Sequence, residues 1–216
     1  MRFESYLDQE CRPALGCTEP ACIAFAAANA TELVRGSIRS VRLTCDPRIY
    51  KNCYAVGIPH SDHRIGIRWS LAIGALLPDP SARLQCFRQI TPEILRQAQS
   101  LLDLGAVTVE VDPAKTALYV DCSVTSDRGL GRAVIEQNHT RLTRLERDGV
   151  EVPFETAETS AHDGALAREI AALPFRDLIA VAQSISLQDR LRLREGAEFN
   201  LAISRHGLSL FPAPFL

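Results

Sequence analysis

Cys17, Thr18 and Glu19 stand directly ahead of Pro20, at the head of an alanine-rich stretch that runs on to Arg35. A proline at the first helical position gives up an N–H that would have had no partner, and a neighbouring Thr or Glu can accept hydrogen bonds from the free first-turn amides. Ile23, Ala26, Ala27, Ala30 and Val34 recur at helical spacing, which predicts a helix over about 20–35. Cys17 would then face the positive end of that helix, where a thiolate is favoured and the thiol pKa should fall. Three uses of the sulfur stay open: metal ligand, nucleophile, or a cysteine buried ahead of a helix, as most free cysteines are. The chain has no C-x-x-C, and Cys11, Cys17 and Cys22 are five or six residues apart, which fits no usual zinc spacing. Further ligands for Cys17 would have to come from far along the chain or from another chain.

A second concentration of polar groups lies at residues 48–63, with Tyr50, Lys51, Asn52, His60, Asp62 and His63. Such crowding between structured elements suits a binding loop, and it equally suits a solvated turn. His60 and His63 are three apart with Asp62 between them, a pattern open to either a metal or an exposed loop. His139, in Asn138-His139-Thr140, interrupts an alternating pattern and reads as a structural histidine or as a base for a Cys17 nucleophile. His206, near a helix C-terminus, suits a residue that compensates the helix dipole.

The elements that must hold these groups follow from periodicity. Residues 2–11 predict a short amphipathic helix with Phe3, Tyr6 and Leu7 on one face. Val41, Leu43 and Cys45 alternate in a strand over 39–45, ended by Asp46-Pro47, and a helix over 66–77 is closed by Pro78-Asp79-Pro80. Thr91-Pro92-Glu93 starts a helix that Gly105 ends. From 106 the period becomes two: Val107, Val109 and Val111 alternate, Asp112-Pro113-Ala114-Lys115 turns, and Leu118, Val120, Cys122 and Val124 alternate back. Residues 106–153 thus predict an antiparallel meander of three or four strands. Beyond it, helices are expected over 163–172, 175–185 and 187–205, the last opened by a Ser186/Asp189 capping box and ended at Gly207, before the apolar tail LSLFPAPFL. The expected fold class is α+β, a single domain over 1–216: a mainly helical part with the site loop over 1–105, the meander over 106–153 and a helical segment over 163–207.

At 216 residues and 46% hydrophobic content the chain can bury a sizeable core. A net charge of −2 argues against nucleic-acid and membrane-surface roles. There is no apolar run of membrane-spanning length, and residues 1–10 lack the apolar region of a signal peptide, so a cytoplasmic protein is expected. Seven cysteines without paired spacing fit a reducing compartment.

The run Pro13-Ala14-Leu15-Gly16-Cys17-Thr18-Glu19-Pro20, followed by the alanine-rich helix, resembles the signature of the L-cysteine desulfidase family, relatives of the iron–sulfur L-serine dehydratase alpha subunit. The likeness extends through Ile49-Tyr50-Lys51-Asn52, Gly57-Ile58-Pro59, Ala72-Ile73-Gly74-Ala75, the Thr91 helix and His139-Thr140. It implies a 4Fe-4S cluster acting as a Lewis acid, with no PLP, in β-elimination from a small amino acid or hydroxy acid. By that resemblance Cys17 is the metal ligand and Lys51 and His139 are the catalytic candidates. Thr18, Glu19, Tyr50, Asn52 and Thr140 would bind substrate.

The family pattern runs to about twice this length, with further cluster cysteines in its second half. Arg48 stands where an Asn is expected, and His60-Ser61-Asp62 where a Gly-Thr-Gly-like loop is expected, which alters how backbone N–H groups could approach an anionic substrate. The expectation is therefore one subunit of a split, oligomeric lyase of amino-acid degradation whose cluster is shared with a partner chain. The alternative is a non-catalytic binding or scaffold subunit that has lost the cluster half.

Overall fold

The computed structural model describes residues 4, 7, 8, 11, 14–154 and 165–210. The alanine-rich stretch is helix α1, Thr18–Glu32, with Cys17 as its N-cap residue. Strand β1 (Ile38–Cys45) leads into helix α2 (Pro47–Cys53), and a loop leads to α3 (Ile67–Gly74). A 3-10 segment over Pro80–Gln89 and helix α4 (Pro92–Asp103) precede strands β2 (Val107–Val111), β3 (Tyr119–Ser126), β4 (Gly129–Glu136), β5 (Leu142–Arg147) and β6 (Val150–Glu151). Helices α5 (Ala165–Ala171), α6 (Phe175–Gln183) and α7 (Leu187–Leu210) follow. The described residues fall into two compact units, residues 13–158 and residues 1–12 with 159–216. The α+β class read from the sequence is the one found.

α1 is buried on every side because almost nothing projects from it. Ala21, Ala24, Ala26, Ala27 and Ala30 are all fully buried. Small residues let neighbouring backbones come close. A Cβ added to Gly74 of α3 would lie 2.4 Å from Ala24 Cα, and one added to Gly131 of β4 would lie 2.0 Å from the Ala30 carbonyl oxygen. Ser126 Oγ of β3 also donates 2.6 Å to the Val34 carbonyl, just past the end of α1. The core of residues 13–158 therefore forms where α1 meets the sheet on one side and α3 on another.

The sheet has the order β2-β1-β3-β4-β5-β6. Strands β3 to β6 form the expected antiparallel meander. β2 departs from it: the turn at 112–115 makes no hairpin, because β1 lies between β2 and β3, parallel to the first and antiparallel to the second. The connection from β1 to β2 carries α2, α3 and α4, and a crossover containing helices returns the chain in the parallel sense. The run 131–146, GRAVIEQNHTRLTRLE, expected as one stretch of the meander, falls in two strands, with His139 in the turn between them. On the face away from α1, Arg132 pairs with Asp121 at 2.7 Å and with Glu146 at 2.9 Å across three strands.

Asp46 fixes the junction between sheet and site. It is fully buried, and its carboxylate accepts from Arg48 N at 2.8 Å and Ile49 N at 3.2 Å as the cap of α2, and from Tyr119 N of β3 at 2.8 Å. One side chain thereby ties the ends of β1 and β3 to the first turn of α2.

In the other unit, Ser186 and Asp189 make the expected capping box: Asp189 N donates 3.0 Å to Ser186 Oγ, which donates 2.8 Å to Asp189 Oδ2. Helix α7 does not stop at Gly207 but continues to Leu210. One glycine costs a helix about 1 kcal/mol, too little to end a long one. Arg192 donates to Asp8 Oδ1 at 2.6 Å and to the Leu7 and Cys11 carbonyls, both at 3.0 Å. Leu7 is buried, whereas Phe3, Tyr6 and the end of the apolar tail, residues 211–216, lie outside the described residues. Among those described, no helix is long and apolar enough to cross a membrane.

Candidate functional site

The direction of α1 decides where the candidate residues meet. Its C-terminal end lies at Ser126 and Gly131, so its N-terminus, with Cys17, lies toward the opposite end of the sheet. That is the end where β1 passes through Asp46 into α2 and where β4 turns into β5. Cys17, the α2 residues Tyr50, Lys51 and Asn52, and the turn residues His139 and Thr140 therefore share one end of the sheet, although they come from three separate stretches of chain.

Glu19 is the centre of this group. Its Oε2 accepts from the Cys17 thiol at 2.9 Å and from Thr18 Oγ1 at 3.2 Å, and its Oε1 accepts from Asn52 Nδ2 at 2.8 Å. Burial opposes ionisation of Glu19, but the hydrogen bonds from Cys17, Asn52 and Thr18 outweigh it and hold the carboxyl below its ordinary pKa. Cys17 moves the other way. Partial burial, then the hydrogen bond to Glu19 and its charge, raise the thiol pKa above the ordinary value, and the first-turn backbone N–H groups offset only part of this. The fall expected from the helix dipole is corrected: burial of the sulfur, together with the Glu19 carboxylate in contact with it, outweighs the partial charge of the helix end.

The surroundings are built to keep this group in place. Gly16 has φ +77°, and a Cβ there would sit 2.6 Å from Pro59 Cγ, so the glycine lets the 57–66 loop close against the start of α1. That loop is stapled by Ile58 N donating to Arg64 O at 2.9 Å, and by buried Ser61, whose Oγ donates 2.6 Å to Ile58 O. His60, Asp62 and His63 all adopt left-handed backbone conformations, with φ 59°, 54° and 61°. Positions where a glycine-like loop is expected thus keep a glycine-like backbone while carrying bulky polar side chains, at a strain of about 1 kcal/mol each. They border a cavity of about 470 Å³ together with Gly57, Arg64 and Ile65. On α2, the exposed rings of Tyr50 and Tyr54 stack with centroids 6.4 Å apart, beside Asn52.

Of the expected site residues, Cys17, Thr18, Glu19 and Asn52 are joined by hydrogen bonds. Lys51 is exposed on α2, while Thr140 bonds locally, its N donating 3.1 Å to Asn138 Oδ1. His139 is half-buried in its turn, and the thiol of Cys17 donates to Glu19 rather than to this histidine. Among the described residues no three His, Cys, Asp or Glu side chains stand together as metal donors. The described residues thus bring no set of three such donors to Cys17, and a 4Fe-4S cluster there would need its other ligands from elsewhere. Cys53 is wholly buried, with its thiol pushed well up chiefly by burial. Asp46 and Gly16 were missed as supports, although an Asp-Pro pair ahead of a helix is a recognisable cap signal.

Fold and site together define an α+β protein with a carboxylate-tethered cysteine at a helix N-terminus. The chain is similar to a UPF0597 protein of Geobacter sulfurreducens, 31% identical over 213 residues, which covers 96% of this chain and 49% of the relative. It is also similar to a UPF0597 protein of Photobacterium profundum, 32% identical over 215 residues, and to one of Desulfatibacillum aliphaticivorans, 31% identical over 209 residues. The first covers 96% of this chain and 48% of that relative, the second 93% and 47%. The chain thus spans about half the length of the curated relatives it matches. No family model matches it. These relatives bear a name that states no activity, and they overturn the assignment to the L-cysteine desulfidase family. The short motif around Cys17 led to that assignment, whereas the match to UPF0597 proteins extends over nearly the whole chain.

Proposed function

We propose that the Cys17–Glu19–Asn52 group is one part of a lyase site for β-elimination from a small amino acid or hydroxy acid, completed by a second polypeptide. The observation that carries this reading is the convergence on one ionised carboxylate of a thiol, a hydroxyl and an amide from two separate elements. Such an arrangement fixes the sulfur in direction, and binding a metal or a reacting substrate there would draw the thiol proton off toward Glu19, which already accepts the thiol's hydrogen bond at 2.9 Å. The second polypeptide would bring the further thiolates that an iron–sulfur cluster needs. Elimination requires a base for the α-proton and departure of the β-substituent as water or sulfide. The enol left by a hydroxy acid tautomerises to a keto acid, and the enamine left by an amino acid tautomerises to an imine that water hydrolyses to the keto acid and ammonia. Lys51 and His139 stand at the same end of the sheet as Cys17 and are the proposed proton carriers; Tyr50 and Thr140 flank them.

The test replaces the aligned part of the Geobacter relative with this chain and assays the full-length chimera anaerobically. The substrates are α-amino and α-hydroxy acids carrying a β-hydroxyl or β-thiol. Bound iron and keto-acid release, both lost in Cys17→Ala, are expected. A folded chimera with neither overturns the proposal.

The absence of three grouped metal donors among the described residues favours one alternative, a non-catalytic binding or scaffold subunit. In that case Cys17→Ala leaves partner binding and every other measured property of the chimera unchanged.

A further inference from the structure

Helix α7 carries more bare apolar surface than any isolated helix in water should. Phe199, Ile203 and Leu210, spaced so that they share one side, are 64%, 71% and 71% exposed. Leu187, Leu191, Leu201 and Leu208 are exposed on the opposite side. The N-terminal half of the helix already has a partner, because Arg192 holds the Leu7 and Cys11 carbonyls. Phe199, Ile203 and Leu210 continue along the side of the helix that Arg192 occupies, about two to five turns further on, with nothing described over them.

We infer that α7 is the docking helix for a polypeptide equivalent to the part of the relatives' length that this chain does not span. The inference rests on the proposed second polypeptide and adds where it binds. Two observations select this occupant. The matched relatives are about twice as long, so a polypeptide large enough to surround a helix accompanies the equivalent of this chain in each of them. And the exposed apolar residues lie on two opposite sides of α7, with charged residues among them, which is the pattern of a helix that needs a partner on each side rather than of one pressed against a flat surface. A second copy of the chain, related by a two-fold axis, would cover a single side. A membrane interface would call for one apolar side and one strongly charged side.

Hydrogen exchange on the chain alone and on the Geobacter chimera tests this. Amides of residues 193–210 should exchange about tenfold or more slowly in the chimera. The double variant Phe199→Asp, Ile203→Asp should abolish that protection while the far-UV circular dichroism of the chain alone is unchanged, since both side chains are exposed there. Equal exchange in chain and chimera overturns the inference, as does protection that survives the double variant. So does a dimer of the chain alone that the double variant dissolves, or binding of the chain alone to phosphatidylcholine vesicles. Protection of α7 in a chimera without elimination activity would sink the catalytic reading and leave the docking helix standing. Activity with an unprotected α7 would do the reverse.

Discussion

Helices α1 and α7 pose the same problem to the chain and meet opposite fates. Both carry apolar side chains on more than one side, which calls for a partner on more than one side. α1 finds it within the chain, between the sheet and α3, because alanines and the facing glycines Gly74 and Gly131 let backbones approach closely. α7, with Phe, Leu and Ile in place of alanine, is left exposed over its C-terminal half. The chain thus finishes the core that positions Cys17 and leaves a second apolar core unfinished.

If that contrast is right, disturbing the surroundings of α1 should be costly and disturbing α7 should not. The largest effect is alkaline. Cys22, Cys45, Cys53, Cys86 and Cys122 are buried, and burial raises all five thiols, those of Cys45 and Cys86 to about 12. The folded chain keeps these protons above pH 9 while the unfolded chain releases them. Their contribution is complete below the unfolded value and is lost as pH rises from about 9 toward 12, at about 1.4 kcal/mol per pH unit for each thiol. Urea midpoints at pH 8 and pH 10 should differ by several kcal/mol equivalents on that basis; equal midpoints would mean that these cysteines are not buried as described.

Asp46→Ala strands three backbone N–H groups at the junction of β1, α2 and β3, and should cost about 3 kcal/mol in the same assay. Gly131→Ala forces a Cβ into the Ala30 carbonyl and should cost about 2 kcal/mol. Phe199→Asp on α7 should change the stability of the chain alone by less than about 0.5 kcal/mol. A large loss there would erase the contrast between the two helices.

Local signals made much of the fold legible. Thr91 caps α4 and Ser186 caps α7 because short polar side chains followed by a helical pattern leave few other options. What was hidden is non-local. Nothing in Val107-Thr108-Val109 says that it pairs with β1 rather than with the strand that follows it, since alternation specifies a face and not a neighbour. α2 was hidden for a different reason: Asp46-Pro47 serves as a strand breaker and a helix cap at once. At the site, Cys17 and Glu19 were legible as residue types. The raised thiol pKa was not, because it depends on the partial burial of the sulfur and then on the Glu19 carboxylate touching it, neither of which a helix-dipole argument includes.

That contact is also the most direct test of the site. The rate of iodoacetamide alkylation at Cys17, followed against pH by peptide mass spectrometry, reports the fraction of thiolate at that one sulfur. In the wild-type chain the profile should lie on the alkaline side of an ordinary thiol. Glu19→Gln keeps the size of the side chain, removes its charge, and should shift the profile toward neutral pH. A Glu19→Gln profile that superimposes on the wild type would show that the carboxylate does not hold Cys17, and the site as described here would be wrong.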